Sequence, residues 1–177
     1  MRTIGLAAAC VLAVGCSQSI PTDDVRPGIY ELSVEAETDA CSPTRAVGSM
    51  GAVAVLVRDG AIDAPVPDLA DSLLTAPRVV LAGEAFHAET NRRLPGCEDA
   101  WVHEEWTLLQ SAGDHFDLIH RQQWQGLDAC AAPMEAMPGA PEADCMSERR
   151  LRYELTELCA APCRLVLEAT GDIACGC

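Results

Sequence analysis

Residues 52–66 read Ala52-Val53-Ala54-Val55-Leu56-Val57-Arg58-Asp59-Gly60-Ala61-Ile62-Asp63-Ala64-Pro65-Val66. A valine-rich apolar run meets Asp-Gly, and Ile62, Ala64 and Val66 then alternate with other residues. Asp-Gly between such runs specifies a tight hairpin, because a type I′ turn needs positive φ at both central positions. The same period of two recurs on either side. Tyr30, Leu32, Val34 and Ala36 alternate with Glu31, Ser33, Glu35 and Glu37, which reads as a half-buried strand. Leu151, Tyr153 and Leu155 point one way, with Arg152, Glu154 and Thr156 the other; Leu165, Leu167 and Ala169 repeat the pattern. A second hairpin is expected from Ala100–Gln110 and His115–Trp124 around Ser111-Ala112-Gly113-Asp114, and one strand over Arg78–Glu89. Pro67–Ala76 reads as a short helix, with Leu69, Leu73 and Leu74 on one side and Pro77 ending it. Thr170-Gly171-Asp172 turns the chain into a last strand, Ile173–Cys177. The expectation is an all-β antiparallel barrel or sandwich of about eight or nine short strands, without internal repeats.

The chain has 177 residues, which suits one domain. Its net charge is -15, from 27 acids against 12 basic residues. Such a balance excludes a nucleic-acid partner, which requires a basic face, and charge-driven docking on an anionic membrane. Every basic residue is arginine. A Walker phosphate loop, a Schiff base and a Ser-x-x-Lys nucleophile each need lysine and are ruled out. Apolar residues make up 49% of the chain, enough for a core, although alanines bury little area each.

At the N-terminus, Arg2 precedes an uncharged apolar run, Ile4–Val14, too short to span a bilayer. The stretch Leu12-Ala13-Val14-Gly15-Cys16 resembles the lipobox of bacterial lipoproteins, with Ala13 where leucine is usual. The resemblance covers the first 16 residues. It implies cleavage before Cys16, acylation of that cysteine, and anchoring by more than one chain, since one alone is marginal. Ser17, rather than aspartate, follows the cysteine, which by the same resemblance implies sorting to the outer membrane. Residues 1–15 are then a signal peptide and 16–27 a lipidated tether. Residues 28–177 form one domain, with a Pro-rich loop at about 125–148.

Beyond Cys10 and Cys16 the cysteines are Cys41, Cys97, Cys130, Cys145, Cys159, Cys163, Cys175 and Cys177. Their even number in an oxidising compartment reads as a disulfide framework. Spacing suggests Cys130–Cys145 around the Pro-rich loop, leaving Cys41–Cys97, with Cys159–Cys177 and Cys163–Cys175 nested at the C-terminus. The alternative for the last four is a thiolate metal or redox site, at a spacing poor for zinc.

No motif fixes a reaction, so no catalytic residue and no cofactor are assigned. His103-Glu104-Glu105-Trp106-Thr107 opens like a zinc-protease helix, but Thr107 replaces the second histidine. Ser49 misses the nucleophile-elbow spacing by one position. Asp59, Asp63, Asp68 and Asp71 lack calcium-loop spacing and read as a solvated face. His87, His103, His115 and His120 are candidates to meet across strands with Glu105 or Asp117; His103 and His120 are the pair singled out. Trp101, Trp106 and Trp124 are candidate binding residues. Alternation sets Trp101 and Trp106 on opposite faces, one exposed and able to stack on a sugar or a partner.

These features favour a non-enzymatic envelope binding or structural module, whose partner is a basic protein or a small apolar ligand. A small hydrolase pairing histidine with Glu or Asp is the second reading, and a metal or redox site on the C-terminal cysteines the third.

Overall fold

The computed structural model describes residues 25–41, 47–67, 77–82, 86–130, 140–159, 164–167 and 173–176. Its strands are β1 (Gly28–Asp39), β2 (Gly48–Arg58), β3 (Ala61–Pro65), β4 (Arg78–Leu81), β5 (His87–Leu94), β6 (Cys97–Ala112), β7 (His115–Gln125), β8 (Cys145–Leu158), β9 (Arg164–Leu167) and β10 (Ile173–Gly176). The first eight form one antiparallel sheet in the order β4-β3-β2-β1-β8-β7-β6-β5, while β9 and β10 form a separate hairpin. Two four-strand meanders are thus joined by the long β1–β8 ladder. They curl until their free ends, β4 and β5, meet at a single bridge, Ala82 to His87. The result is a nearly closed eight-stranded barrel. Among the described residues, no helix is long and apolar enough to cross a membrane.

The expected hairpins form. Asp59 and Gly60 have φ of 51° and 76°, both in the left-handed region that a type I′ turn demands. β6 and β7 pair around Gly113-Asp114. The strands are longer than expected, with β6 spanning 16 residues and β8 spanning 14. The single strand expected over Arg78–Glu89 is instead two. β4 ends at Leu81, Phe86 turns with a φ of 42°, and the chain reverses to pair with β6. A hairpin that the sequence reading missed, β5–Pro95-Gly96–β6, follows from this break. The helix expected over Pro67–Ala76 lies mostly outside the described residues.

Alternation fills the barrel. Tyr30, Leu32 and Val34 from β1 meet Phe116 and Leu118 from β7 and Leu151 and Tyr153 from β8, with Val53, Val55, Ile62 and Leu81 from the other meander. Phe116 stacks on Tyr153, ring centroids 4.4 Å apart, and meets Tyr30 edge-on at 5.4 Å. The buried Tyr153 hydroxyl donates to Pro65 O (2.8 Å). Burial pushes its pKa up, since the phenolate would lose its hydration there. A second, smaller core at the other end holds Leu94, Ala100, Val102, Trp124 and Leu127.

The disulfides correct the expected pairing. Cys41 joins Cys145 (Cα–Cα 5.2 Å), Cys97 joins Cys130 (5.4 Å), and Cys159 joins Cys175 (5.3 Å). Neither Cys41–Cys97 nor Cys130–Cys145 forms. The ladder explains why. Cys41 follows β1 and Cys145 opens β8, and these strands are antiparallel neighbours. Cys97 opens β6, while Cys130 caps the 3-10 turn Leu127–Ala129 after β7. The Cys159–Cys175 bond replaces the nested C-terminal guess; Cys163 and Cys177 lie outside the described residues. Gly126 starts the turn at φ 76°, and a Cβ there would lie 2.1 Å from Asp99 O, so only glycine fits. Peptide mapping without reduction is expected to recover the 41–145, 97–130 and 159–175 links. Replacing Cys41 and Cys145 with serine is expected to cost roughly 4–5 kcal/mol, given the 104-residue separation. A recovered 41–97 or 130–145 link refutes this topology.

Candidate functional site

Between the two apolar cores lies a polar layer built by the same alternation. On β6, Glu104 follows Val102 and precedes Trp106 on the inner face. On β7, His120 and Gln122 stand between Leu118 and Trp124. On β8, Ser147 and Arg149 precede Leu151. All five side chains are buried. Glu104 is the hub. Its Oε1 accepts from Gln122 Nε2 (2.9 Å) and faces His120 Nε2 at 3.3 Å, while its Oε2 accepts from Arg92 Nη2 on β5. His120 Nδ1 lies 3.4 Å from Arg149 Nη2, and its ring stacks on Trp106 (5.0 Å between centroids, 10° between planes).

Burial by itself raises the Glu104 pKa. The His120 hydrogen bond, the Gln122 amide and the Arg92 guanidinium outweigh it and hold the carboxyl at about 2. Both ring nitrogens of His120 face protein groups, which leaves the imidazole holding Glu104 in place rather than presenting a base to the surface.

The predicted histidine cluster does not assemble. His103 is on the outer face, its Nδ1 2.8 Å from Asn91 Oδ1, whereas His120 is inside; the pair singled out lies on opposite sides of the barrel wall. His87 Nδ1 lies 3.6 Å from Glu105 and 3.2 Å from Thr107 Oγ1, both on the outer face. His115 contacts Asp114 at the β6–β7 turn. Asp117 is buried against Arg150 and Gln110 rather than a histidine, where a bulge between Leu108 and Gln110 shifts the β6–β7 register. Among the described residues no group of three or more His, Cys, Asp or Glu side chains is arranged to hold a metal. The Cys159–Cys175 bond also removes two of the four thiolates on which the C-terminal zinc reading depended. Ser49 lies on β2, with its hydroxyl on Glu31. Cys16 lies outside the described residues, as do Asp68 and Asp71.

The tryptophans divide as alternation requires. Trp106 and Trp124 are buried at 5% and 1% exposure and belong to the two cores, so neither offers a stacking face. Trp101 is half-buried on the outer face, opposite Arg93 on β5 and Gln125 on β7. It borders a hollow of about 470 Å³ shared with Asn91, Arg92, Arg93, Glu98 and Asp99.

A second opening follows from the incomplete closure. Where β4 and β5 diverge from their bridge, a crevice of about 320 Å³ runs between Pro77–Val80 on one side and Ala88–Arg92 on the other, reaching Glu104 and Trp106. In the sequence Glu104 belongs only to the incomplete zinc-protease-like stretch, and Arg92, Gln122 and Arg149 fall in no motif. The signal was present, because the parity that set Trp106 inward also sets Glu104 inward. Extending the Leu151–Tyr153 alternation backwards gives Arg149 and Ser147.

Compared with models of protein families, with curated proteins and with solved structures, the chain matches none.

Because folding lowers the Glu104 pKa from 4.5 to about 2, this group adds stability above the unfolded value and loses it as pH falls through that window. The contribution is on the order of 3 kcal/mol at neutral pH. Denaturant unfolding from pH 6 down to pH 2 is expected to show this loss in the wild type. The wild-type minus Glu104→Gln difference should shrink over the same range. A difference independent of pH contradicts the assignment.

Proposed function

We propose that the protein is a non-enzymatic binding module, held to the outer membrane through an acylated Cys16, that captures a basic protein partner on the outer face of β5–β8. One observation carries the reading: among the described residues large side chains occupy the barrel interior, while Trp101 is turned outward beside an open hollow. Trp124, Arg149, Tyr30, Tyr153 and Phe116 are all fully buried, so recognition falls to the surface rather than to an apolar lumen. The charges on that face fit a cationic partner. Arg121 is engaged by Glu105 and Glu148, Arg150 by Asp117, Arg152 by Glu154 and Arg92 by Glu104; at the Trp101 end Glu98 and Asp99 are exposed beside Arg93, and Glu89 is exposed farther along β5. Met146 and Leu109, at 56% and 45% exposure, add apolar contact area on the same face.

The hydrolase reading draws less support, because the one buried His–carboxylate pair among the described residues has both imidazole nitrogens occupied. The reading is tested with a panel of small cationic proteins and a size-matched acidic control, using protein purified from membranes. Binding is expected for cationic members only, to weaken strongly in about 0.5 M salt, and to drop roughly 30-fold or more in Trp101→Ala if that side chain anchors the interface. Salt-insensitive binding, or binding unchanged by Trp101→Ala, overturns it. An intact mass without acyl groups on Cys16 overturns the anchoring.

A further inference from the structure

The β4–β5 crevice has a chemistry of its own, separate from the outer face. Its walls are the two strand edges that the ladder leaves unjoined beyond the Ala82–His87 bridge. Its inner end reaches Trp106, which is buried, and whose Nε1–H has no acceptor among the described residues. An unsatisfied buried N–H costs roughly 1–3 kcal/mol, so a group that accepts from it is favoured there.

The remaining polar groups point to the same kind of ligand. Arg92 uses Nη2 on Glu104, and Arg78 uses Nε and Nη2 on Asp63 and on the Ala54 and Asp63 carbonyls. Each guanidinium has five N–H donors, so both retain capacity beyond these bonds. The buried acceptor at its inner end, Glu104, is already committed on both oxygens. The unmet hydrogen-bonding capacity at the buried inner end of the crevice is therefore of the donor type. Of the rest of the lining, Pro77, Val79, Val80 and Ala88 are apolar, Thr90 is polar, and Glu89 is an exposed carboxylate beside His87 (3.9 Å).

We propose that the β4–β5 seam binds a small aliphatic carboxylate, with its oxygens toward Trp106 Nε1–H and the two guanidinium groups and its chain along the valine wall. A volume of about 320 Å³ lies at the lower end of ligand pockets, which fixes the size class as small. The net charge of -15 does not oppose this at physiological salt. Charges more than about 8 Å away are largely screened there. Nearer the site Arg78 and Arg92 are each paired with a carboxylate, Asp63 and Glu104, and Glu89 is exposed, so hydrogen-bond donors rather than net charge select the ligand.

The three tryptophans make the test internal to one spectrum. The indole N–H resonances of the intact, oxidised protein are assigned with single Trp→Phe variants and then followed during titration with hexanoate. Movement of the Trp106 resonance, with Trp101 and Trp124 unmoved, is the expected result. Hexanoate should act at lower concentration than hexanol, and hexanol at lower concentration than hexylamine. Arg78→Met, at an exposed position, should weaken hexanoate about tenfold. Ala88→Leu should block the crevice while leaving the Trp101 and Trp124 resonances in place. No movement of Trp106 at millimolar hexanoate, movement of Trp101 instead, or a preference for hexylamine overturns the proposal. Because Trp101 reports the outer face and Trp106 the seam, failure of one site is read separately from failure of the other.

Discussion

A carboxylate buried inside the barrel organises the rest of the molecule. Glu104 is 3% exposed and would cost far more than the protein's net stability if it were ionised and unpartnered there. It is tolerated because the two flanking strands supply donors at the same height: Arg92 from β5, and His120 and Gln122 from β7. Those donors converge only if β5, β6 and β7 pair in their observed register. A one-residue slip would turn Glu104 outward and leave a guanidinium and an imidazole facing an apolar core. The polar layer therefore selects one register among those that hydrophobic alternation alone would allow.

The layer also divides the interior unequally. On one side, the large core of Tyr30, Phe116, Tyr153 and their neighbours joins both meanders. On the other, the small core around Trp124 gathers β5, β6 and β7 with the 3-10 turn. Both barrel disulfides are at this smaller end, with Cys41, Cys97, Cys130 and Cys145 all packed in its cluster. The covalent links are thus placed where burial contributes least, the usual remedy for a core too small to hold its chain ends. The third link, Cys159–Cys175, ties the β9–β10 hairpin to the end of β8.

A filled interior has a consequence for function. Among the described residues, aromatic rings and a compensated ion network occupy the axis, which is why the proposed contacts with other molecules lie on the wall. Two places stand out: the outward Trp101 and the seam where eight strands fall just short of closing. Both arise from strand geometry, the first from side-chain parity and the second from the divergence of β4 from β5.

Much of this was legible in the residues themselves. Asp59-Gly60 determined a type I′ turn because few other dipeptides adopt positive φ twice in succession. Alternation determined which of Tyr30, Leu32, Val34, Leu151 and Tyr153 face inward, and that Trp101 and Trp106 part company. The lipobox resemblance of residues 12–16 is likewise a property of sequence, and stands apart from the barrel. What the sequence could not determine were relations between distant strands. Cysteine spacing favoured Cys130–Cys145, yet Cys145 meets Cys41, because β1 and β8 become neighbours only when the two meanders join. Parity put Glu104 inside, but whether a buried carboxylate finds Arg92, His120 and Gln122 depends on register across three strands. His103 and His120 looked like partners in the chain and are separated by the barrel wall, because local periodicity sets the face of each side chain while tertiary pairing sets its company.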